Sequence, residues 1–437
     1  MANPENGENR TKGGPGGPPA GQPEVKPSSA LRANRNYVRL WTGSAISGLG
    51  SQLSVLAYPL LVLALHGGAA RAGAVGTCSL VARMVFRAPG GHVTDRADWR
   101  WLMVRMDLIR LLAVGSVPLA AGLGWLTFPQ LLVVAVVEGT ATAFFRPAGT
   151  VALRDVVPKE QLRAAFSLGQ SRSATIDLLG PMVGGALFGL MHELPFIIDA
   201  STYAVSAVLL LSLRVTPRER TAPKGDKRVS AGLHWLLGQP EVVRVLLFTS
   251  LLNVVATAAE VGVVITLNQR GTKSAVIGTV LACAGVGGIV GSLLAPRILG
   301  WAKDHWLFIV VGGVWAAGLA GFALDPAPQV IAPLLVLLLM VTPVVGIRLG
   351  ETTLGQAPRE LIGRISTAEE TVTTGLASAG PFLAGLAIGG LGASAAWSGM
   401  AVLCAVAGIA GAVPLSRFAR RPAKPVPESV PVPDTAG

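Results

Sequence analysis

Carboxylates set inside apolar runs are the residues in this chain with the most obvious chemistry. Glu138 stands in VVAVVEGTATAFF, Asp177 in SRSATIDLLGP and Glu260 in ATAAEVGVV, while Glu369 and Glu370 follow a stretch beginning at Ile362. An ionisable group held among apolar residues is costly to keep and marks a functional position by default. A carboxyl that is dry in one conformation and wet in another can take up a proton and release it. Each residue also has a plainer reading. Asp177 could be the fixed partner of Arg172, Arg83 or Arg110, and Glu369 and Glu370 could bond Arg364. Glu138 and Glu260 have no basic residue within a helical turn. Asp199 lies near the start of an apolar segment and reads as a structural cap.

A second polar set has helical spacing. Ser44, Ser47, Ser51, Ser54 and Tyr58 recur every three or four residues, which puts them on one helix face. That face suits the lining of a cavity, or hydroxyls bonded back to their own backbone. The five histidines are scattered, and no H-E-x-x-H, D-D-x-x-D or phosphate-binding loop occurs. No catalytic residue, metal site or bound nucleotide is therefore expected. Cys78, Cys283 and Cys404 all fall in apolar segments, where they suit packing rather than a disulfide framework.

The elements that would hold these groups follow from composition. Of the 437 residues, 51% are hydrophobic and 14% charged, against about 25% charged in ordinary soluble proteins. Mean hydropathy is +0.56. Such a chain belongs in lipid; a soluble enzyme, a disordered scaffold and a disulfide-rich secreted domain are excluded. Twelve apolar segments can be marked, at 37–65, 72–89, 101–123, 128–150, 161–191, 194–213, 240–268, 274–298, 304–324, 328–355, 360–390 and 393–416. The expectation is an all-α membrane protein of twelve transmembrane helices in two six-helix halves, 37–213 and 240–416. A polar central loop at 214–239 would join them, with disordered tails at 1–36 and 417–437. No short apolar run with a cleavage site follows the first Met, so no signal peptide is expected.

The formal charge of +12 raises the possibility of nucleic acid, but its placement argues otherwise. If the tails and even-numbered connections share one side, that side collects all of the 36 basic residues except Arg71, Arg270 and Lys273. This asymmetry is the positive-inside pattern, so both termini are expected in the cytoplasm and no nucleic-acid partner is needed. The halves also repeat at an offset of 200. Gly91 matches Gly291, Pro158-Lys159-Glu160 matches Pro358-Arg359-Glu360, and Gly180-Pro181 matches Gly380-Pro381. Parallel repeats of six helices describe many secondary transporters, with substrate near the midplane.

Two motifs carry a resemblance. Gly91-His92-Val93-Thr94-Asp95-Arg96-Ala97-Asp98-Trp99-Arg100 resembles the major facilitator superfamily loop G-x-x-x-D-R-x-G-R-R, with Asp98 in place of Gly and Trp99 in place of a basic residue. Here Gly91 would permit close helix approach, and Asp95, Arg96 and Arg100 would form a conformational latch; Arg146 would pair with Asp95 or snorkel. Gly291-Ser292-Leu293-Leu294-Ala295-Pro296-Arg297 has lost the acid, so the latch would be asymmetric. Gly180-Pro181-Met182-Val183-Gly184-Gly185 resembles the antiporter signature of drug:proton exporters, with Pro181 expected to kink its helix and the glycines to pack at the interface between halves. FFRPAGTVALRDVVPKEQLRAAFSLGQSRSATIDLLGPMVGGAL from Phe144, PFIIDASTYAVSA from Pro195 and PRELIGRIS from Pro358 are similar to the group of enterobactin and macrolide exporters.

The resemblance implies export of an amphipathic small molecule (an antibiotic, natural product or siderophore). It also implies a proton gradient as the energy source, no cofactor, a monomer and a bacterial inner membrane. Ser47, Ser51, Ser54 and Tyr58 would line the cavity; Glu138, Asp177, Glu260 and Glu369 are the coupling or substrate candidates. Alternatives are an uptake permease of the same fold and an intramembrane enzyme.

Overall fold

The computed structural model describes residues 31, 33–213, 229–301, 304–324, 326–358 and 361–413, and these are helical with short connections. The expected disorder of 1–30 and 417–437, the expected helical end at 414–416 and the loop character of 214–228 lie outside the described residues. The first half comprises α1 (Arg35–Ala64), α2 (Gly68–Val85), α3 (Arg87–Thr94), α4 (Trp99–Gly122), α5 (Phe128–Val156), α6 (Leu162–Leu190) and α7 (Leu194–Leu211). Then follow α8 (Val229–Gly238), α9 (Pro240–Gln269), α10 (Ser274–Trp301), α11 (Asp304–Ala323), α12 (Pro328–Gln356), α13 (Ile362–Ala377), α14 (Gly380–Leu391) and α15 (Ala393–Ala412). Counting α2 with α3 and α13 with α14, and leaving out the ten-residue α8, gives twelve crossings among the described residues.

Most boundaries fall within a few residues of the apolar runs, because the length of a run in lipid delimits the helix. A 30-residue helix such as α1 is about 45 Å long, more than the roughly 30 Å of hydrocarbon. Among the described residues, ten spans are long and apolar enough to cross a bilayer, by length and composition. The other two crossings are the interrupted α2–α3 pair and α4, which carries Arg105, Asp107 and Arg110. Large apolar side chains such as Leu112, Leu190 and Leu324 project outward, as a lipid-facing surface requires.

Two expectations need correction. Residues 31–36 are not wholly a tail: Leu31 is buried with Tyr37, Val157 and Ala165. Asn34 caps α1, accepting from Tyr37 N at 3.1 Å and donating to Val156 O at 2.9 Å. The region read as central loop contains α8, whose Gly232 lies against the Arg364 carbonyl of α13. α6 runs as one continuous helix through Pro181. Its repeat mate Pro381 sits in the first turn of a new helix, α14, where a missing N–H is harmless.

Within the first half, α1 packs on α6 and α7, α4 lies between α5 and α7, and α2 packs on α5. In the second, α10 packs on α12, α11 on α15, and α9 on α13 and α14. The halves meet along two seams, α6 with α10 and α2 with α14. The 200-residue repeat reappears as contacts. A Cβ on Gly180 would meet Gln52 of α1, and one on Gly380 would meet Thr257 and Val254 of α9. A Cβ on Gly185 would strike Ser274 O across one seam, and one on Gly385 would strike Ala69 O across the other. Gly278 faces Pro181 O as Gly73 faces Pro381 O. The seams are backbone against backbone, the close approach that small residues permit in lipid.

Candidate functional site

Between the halves lies a cavity of about 580 Å³. Its walls come from α1, α6, α9, α10 and α12, and its polar lining is Gln52, Asp177, Glu260 and Ser292. Val55, Leu56, Pro59, Ile289 and Leu339 are among the apolar remainder. Gln52 Nε2 donates to Asp177 Oδ1 at 3.0 Å. Two of the four candidate carboxylates thus share one chamber, one from each half.

Glu138 is elsewhere. It is 1% exposed, inside the first half, and accepts from the Tyr58 hydroxyl at 3.0 Å. The Tyr58 ring stands edge-on to Phe196, 5.1 Å between centroids. On the same face of α1, Ser54 Oγ donates to Asp199 Oδ2 at 2.5 Å, and Ser51 Oγ is hydrogen-bonded to the Tyr203 hydroxyl at 2.9 Å. Ser47 is also buried. The face expected to line the cavity therefore points into the first half instead. Spacing shows that these residues share a face but not which neighbour the face meets; Gln52, Val55 and Pro59, off that face, line the cavity.

Asp107 and Arg110 complete this interior. Arg110 Nη2 lies 2.8 Å from Asp107 Oδ1, and both side chains are buried. The guanidinium sits over the rings of Phe145 and Tyr203, at 4.3 and 4.7 Å to the centroids, the geometry of a cation–π pair. Arg110 is thus committed within its own helix and is not Asp177's partner. Asp199, read as a cap, is fully buried in the second turn of α7 and caps nothing. It is the residue that sequence reasoning undervalued.

The loop motif is also rearranged. Gly90, not Gly91, makes the close approach, lying against Ala143 O of α5; a Cβ on Gly91 would meet nothing within 4 Å. Asp98 caps α4 by accepting from Arg100 N at 2.8 Å, which accounts for an Asp where the motif has Gly. Arg100 Nε donates to Leu210 O at 3.0 Å and its Nη2 to Leu211 O. Arg39 reaches Ser212 O at 2.6 Å. Two arginines therefore satisfy the last carbonyls of α7, where a cation also meets the negative end of the helix. Asp95 is the C-cap residue of α3, and Arg96 is exposed.

Arg146 is within electrostatic reach of Asp177 and Glu370, and of Arg83 and Arg87. Glu370 of α13 pairs with Arg87, the first residue of α3, rather than with Arg364. Glu369 is half-buried on α13. In the antiporter-like motif, Gly180 and Gly184 lie against Gln52 and Leu53 of α1, while Pro181 and Gly185 face α10. Among the described residues, no group of three or more His, Cys, Asp or Glu could hold a metal ion.

Two packed sets of membrane-crossing helices around a central chamber define a secondary carrier. Residues 40–368 match the Major Facilitator Superfamily, and the chain belongs to that family. It is a multi-pass membrane transporter and not an enzyme. The chain is 31% identical over 147 residues to the multidrug efflux pump Tap of Mycolicibacterium fortuitum, 33% of this chain and 36% of that pump. It is 26% identical over 308 residues to the uncharacterized MFS-type transporter YfiS of Bacillus subtilis, 66% of this chain and 70% of the relative. The matched stretch is thus about a third of Tap's length. The crystal structure of the nucleoside transporter NupG superposes with a TM-score of 0.69 at 15% identity, covering 89% of this chain and all of that one. A bacterial homologue of the iron transporter ferroportin, in its inward-facing state, also gives 0.69, at 14% identity, covering 86% of this chain and 98% of its own. At such identities these two likenesses concern the fold alone.

Proposed function

We propose that the chain exports an amphipathic small molecule (an antibiotic, natural product or siderophore) from a bacterial cell, driven by inward movement of protons. The observation that carries the reading is the chamber between the halves: about 580 Å³, a volume suited to a drug-sized compound, mostly apolar, with Asp177 and Glu260 on opposing walls. The partial similarity to the Tap efflux pump supports the export direction. The halves 37–213 and 240–416 rock about the α6–α10 and α2–α14 seams, exposing the chamber to each side in turn. Both termini lie in the cytoplasm, by the placement of basic residues, and the monomer is the working unit. Asp95, Arg96 and Arg146 take part in a latch that holds one state. Protonation of a buried carboxyl, with Glu138 first among the candidates, drives the return.

The test is drug accumulation in a pump-deficient bacterium expressing the chain, with and without protonophore, beside Glu138→Gln. Lower accumulation that protonophore abolishes supports the reading. Loss of that effect in Glu138→Gln at normal membrane abundance assigns Glu138 to coupling. Higher accumulation that protonophore abolishes would reverse the direction and make the chain an uptake permease.

A further inference from the structure

α1 presents two faces to two different compartments. Gln52, Val55, Leu56 and Pro59 look into the central chamber. Ser51, Ser54 and Tyr58 look into the first half, and each hydrogen-bonds a buried group there. We propose that Glu138 and Asp199 together hold the coupling proton in that inner compartment, walled off by α1 from the chamber that binds the exported compound. The proposal rests on the proton-driven reading above and adds a second carboxyl and a physical separation of the two cargoes.

Charge balance is the first argument. Asp107, Glu138 and Asp199 are at most 1% exposed. The groups around the pair are Ser54 and Tyr58 from α1, Arg83 from α2, Arg110 from α4, and Tyr203 from α7 itself. Asp107 and Arg110 on α4 already form an ion pair at 2.8 Å. Three buried acids thus face one buried base, Arg110, and one half-buried base, Arg83, leaving an excess negative charge that one bound proton cancels. An unbalanced charge in a dry interior is expensive.

The second argument is an orphaned atom. Asp199 Oδ2 receives Ser54, but buried Oδ1 has no well-formed hydrogen bond among the described residues, the nearby Tyr203 hydroxyl being shared with Ser51. A bare carboxylate oxygen in that position is costly, and a proton relieves it. The space suits a proton rather than a metal ion. A Cβ on Gly50 would already come within 2.7 Å of Oδ1, and no cluster of metal-ligating side chains surrounds it among the described residues. Two carboxyls so placed titrate as a pair. Coupling then runs through α1: a compound pressing on Val55, Leu56 or Pro59 displaces the helix that carries the Ser54 and Tyr58 donors.

The experiment is infrared difference spectroscopy of the full chain in lipid nanodiscs, titrated with acid and base, with no drug present. The wild type should show a protonated-carboxyl C=O band that bleaches as pH rises. Glu138→Gln and Asp199→Asn should each abolish the band or move its midpoint. Asp177→Asn and Glu260→Gln should leave it in place. If Asp199→Asn does not fold, Ser54→Ala keeps the carboxyl but removes its donor, and should move the midpoint by about one pH unit or more. A band unmoved by Asp199→Asn or Ser54→Ala, or lost in Asp177→Asn or Glu260→Gln, overturns the proposal. So does a titration that changes when potassium buffer is replaced by sodium. Because no transported compound is used, a normal titration without proton-driven export would remove the functional reading and leave the pair standing.

Discussion

Replacing Gly185 with Ala should shift the conformational equilibrium of the carrier. The added Cβ would collide with Ser274 O and lie 3.0 Å from Gly278 Cα and 3.1 Å from Gly278 N, where ordinary contact begins at 3.4 Å. All three obstacles are backbone, so no side chain can swing aside. α6 and α10 must part, and overpacking of this kind costs about 1–3 kcal/mol. That strain exists only while the seam is closed at this end. It should therefore favour states with the seam open by about 5–150-fold. Pulsed dipolar electron resonance reads the populations directly, using spin labels at the exposed Leu190 and Lys273 after replacement of Cys78, Cys283 and Cys404. The long-distance population should grow in Gly185→Ala and in no measurable way in Gly91→Ala, whose Cβ meets nothing within 4 Å. Equal distance distributions in wild type and Gly185→Ala would refute the account of the seam.

Other perturbations test other parts of the structure. Asp107→Asn leaves Arg110 buried between two rings without its carboxylate, and should lower stability by about 3–5 kcal/mol, read as a lower melting temperature in detergent. Arg100→Ala removes donors from Leu210 O and Leu211 O; the loss should be about 0.3–1 kcal/mol, and the Arg39→Ala, Arg100→Ala double variant should melt lower than either single one. Arg87 and Glu370 are both exposed, so Glu370→Gln should change melting by no more than about 1 kcal/mol. Gly50→Ala has no room against Thr202 and Asp199, and should lower both membrane abundance and melting temperature, whereas Gly389→Ala, 3.6 Å from Ala69 Cβ, should not.

The spans were legible because lipid leaves the chain little choice: each apolar run must close its own backbone hydrogen bonds as helix. The glycine–proline repeat was legible because close backbone approach admits few residue types, and it reappears as equivalent contacts of Gly185 and Gly385. Direction was not legible. Helical spacing put Ser51, Ser54 and Tyr58 together, but their partners Tyr203, Asp199 and Glu138 lie 80 to 152 positions away. The one-residue slip from Gly91 to Gly90 has the same origin, since loop geometry decides which of two adjacent glycines faces α5. One signal was available. Asp107 and Arg110 are three residues apart in an apolar segment, a spacing that lets two charges satisfy each other within one helix.

The two seams also bear on friction. Where long side chains interlock, every stroke of a rocking machine must un-mesh and re-mesh them, with rotamers rearranging each time. At Gly185, Gly278, Gly73 and Gly385 the facing surfaces are carbonyls and Cα atoms, which have no rotamers to change. The seams resemble plain bearings rather than gears: they set a tight clearance yet offer little resistance to sliding. The slow step of the cycle should then lie away from them, in the ionic and hydrogen-bonded groups that have to exchange partners.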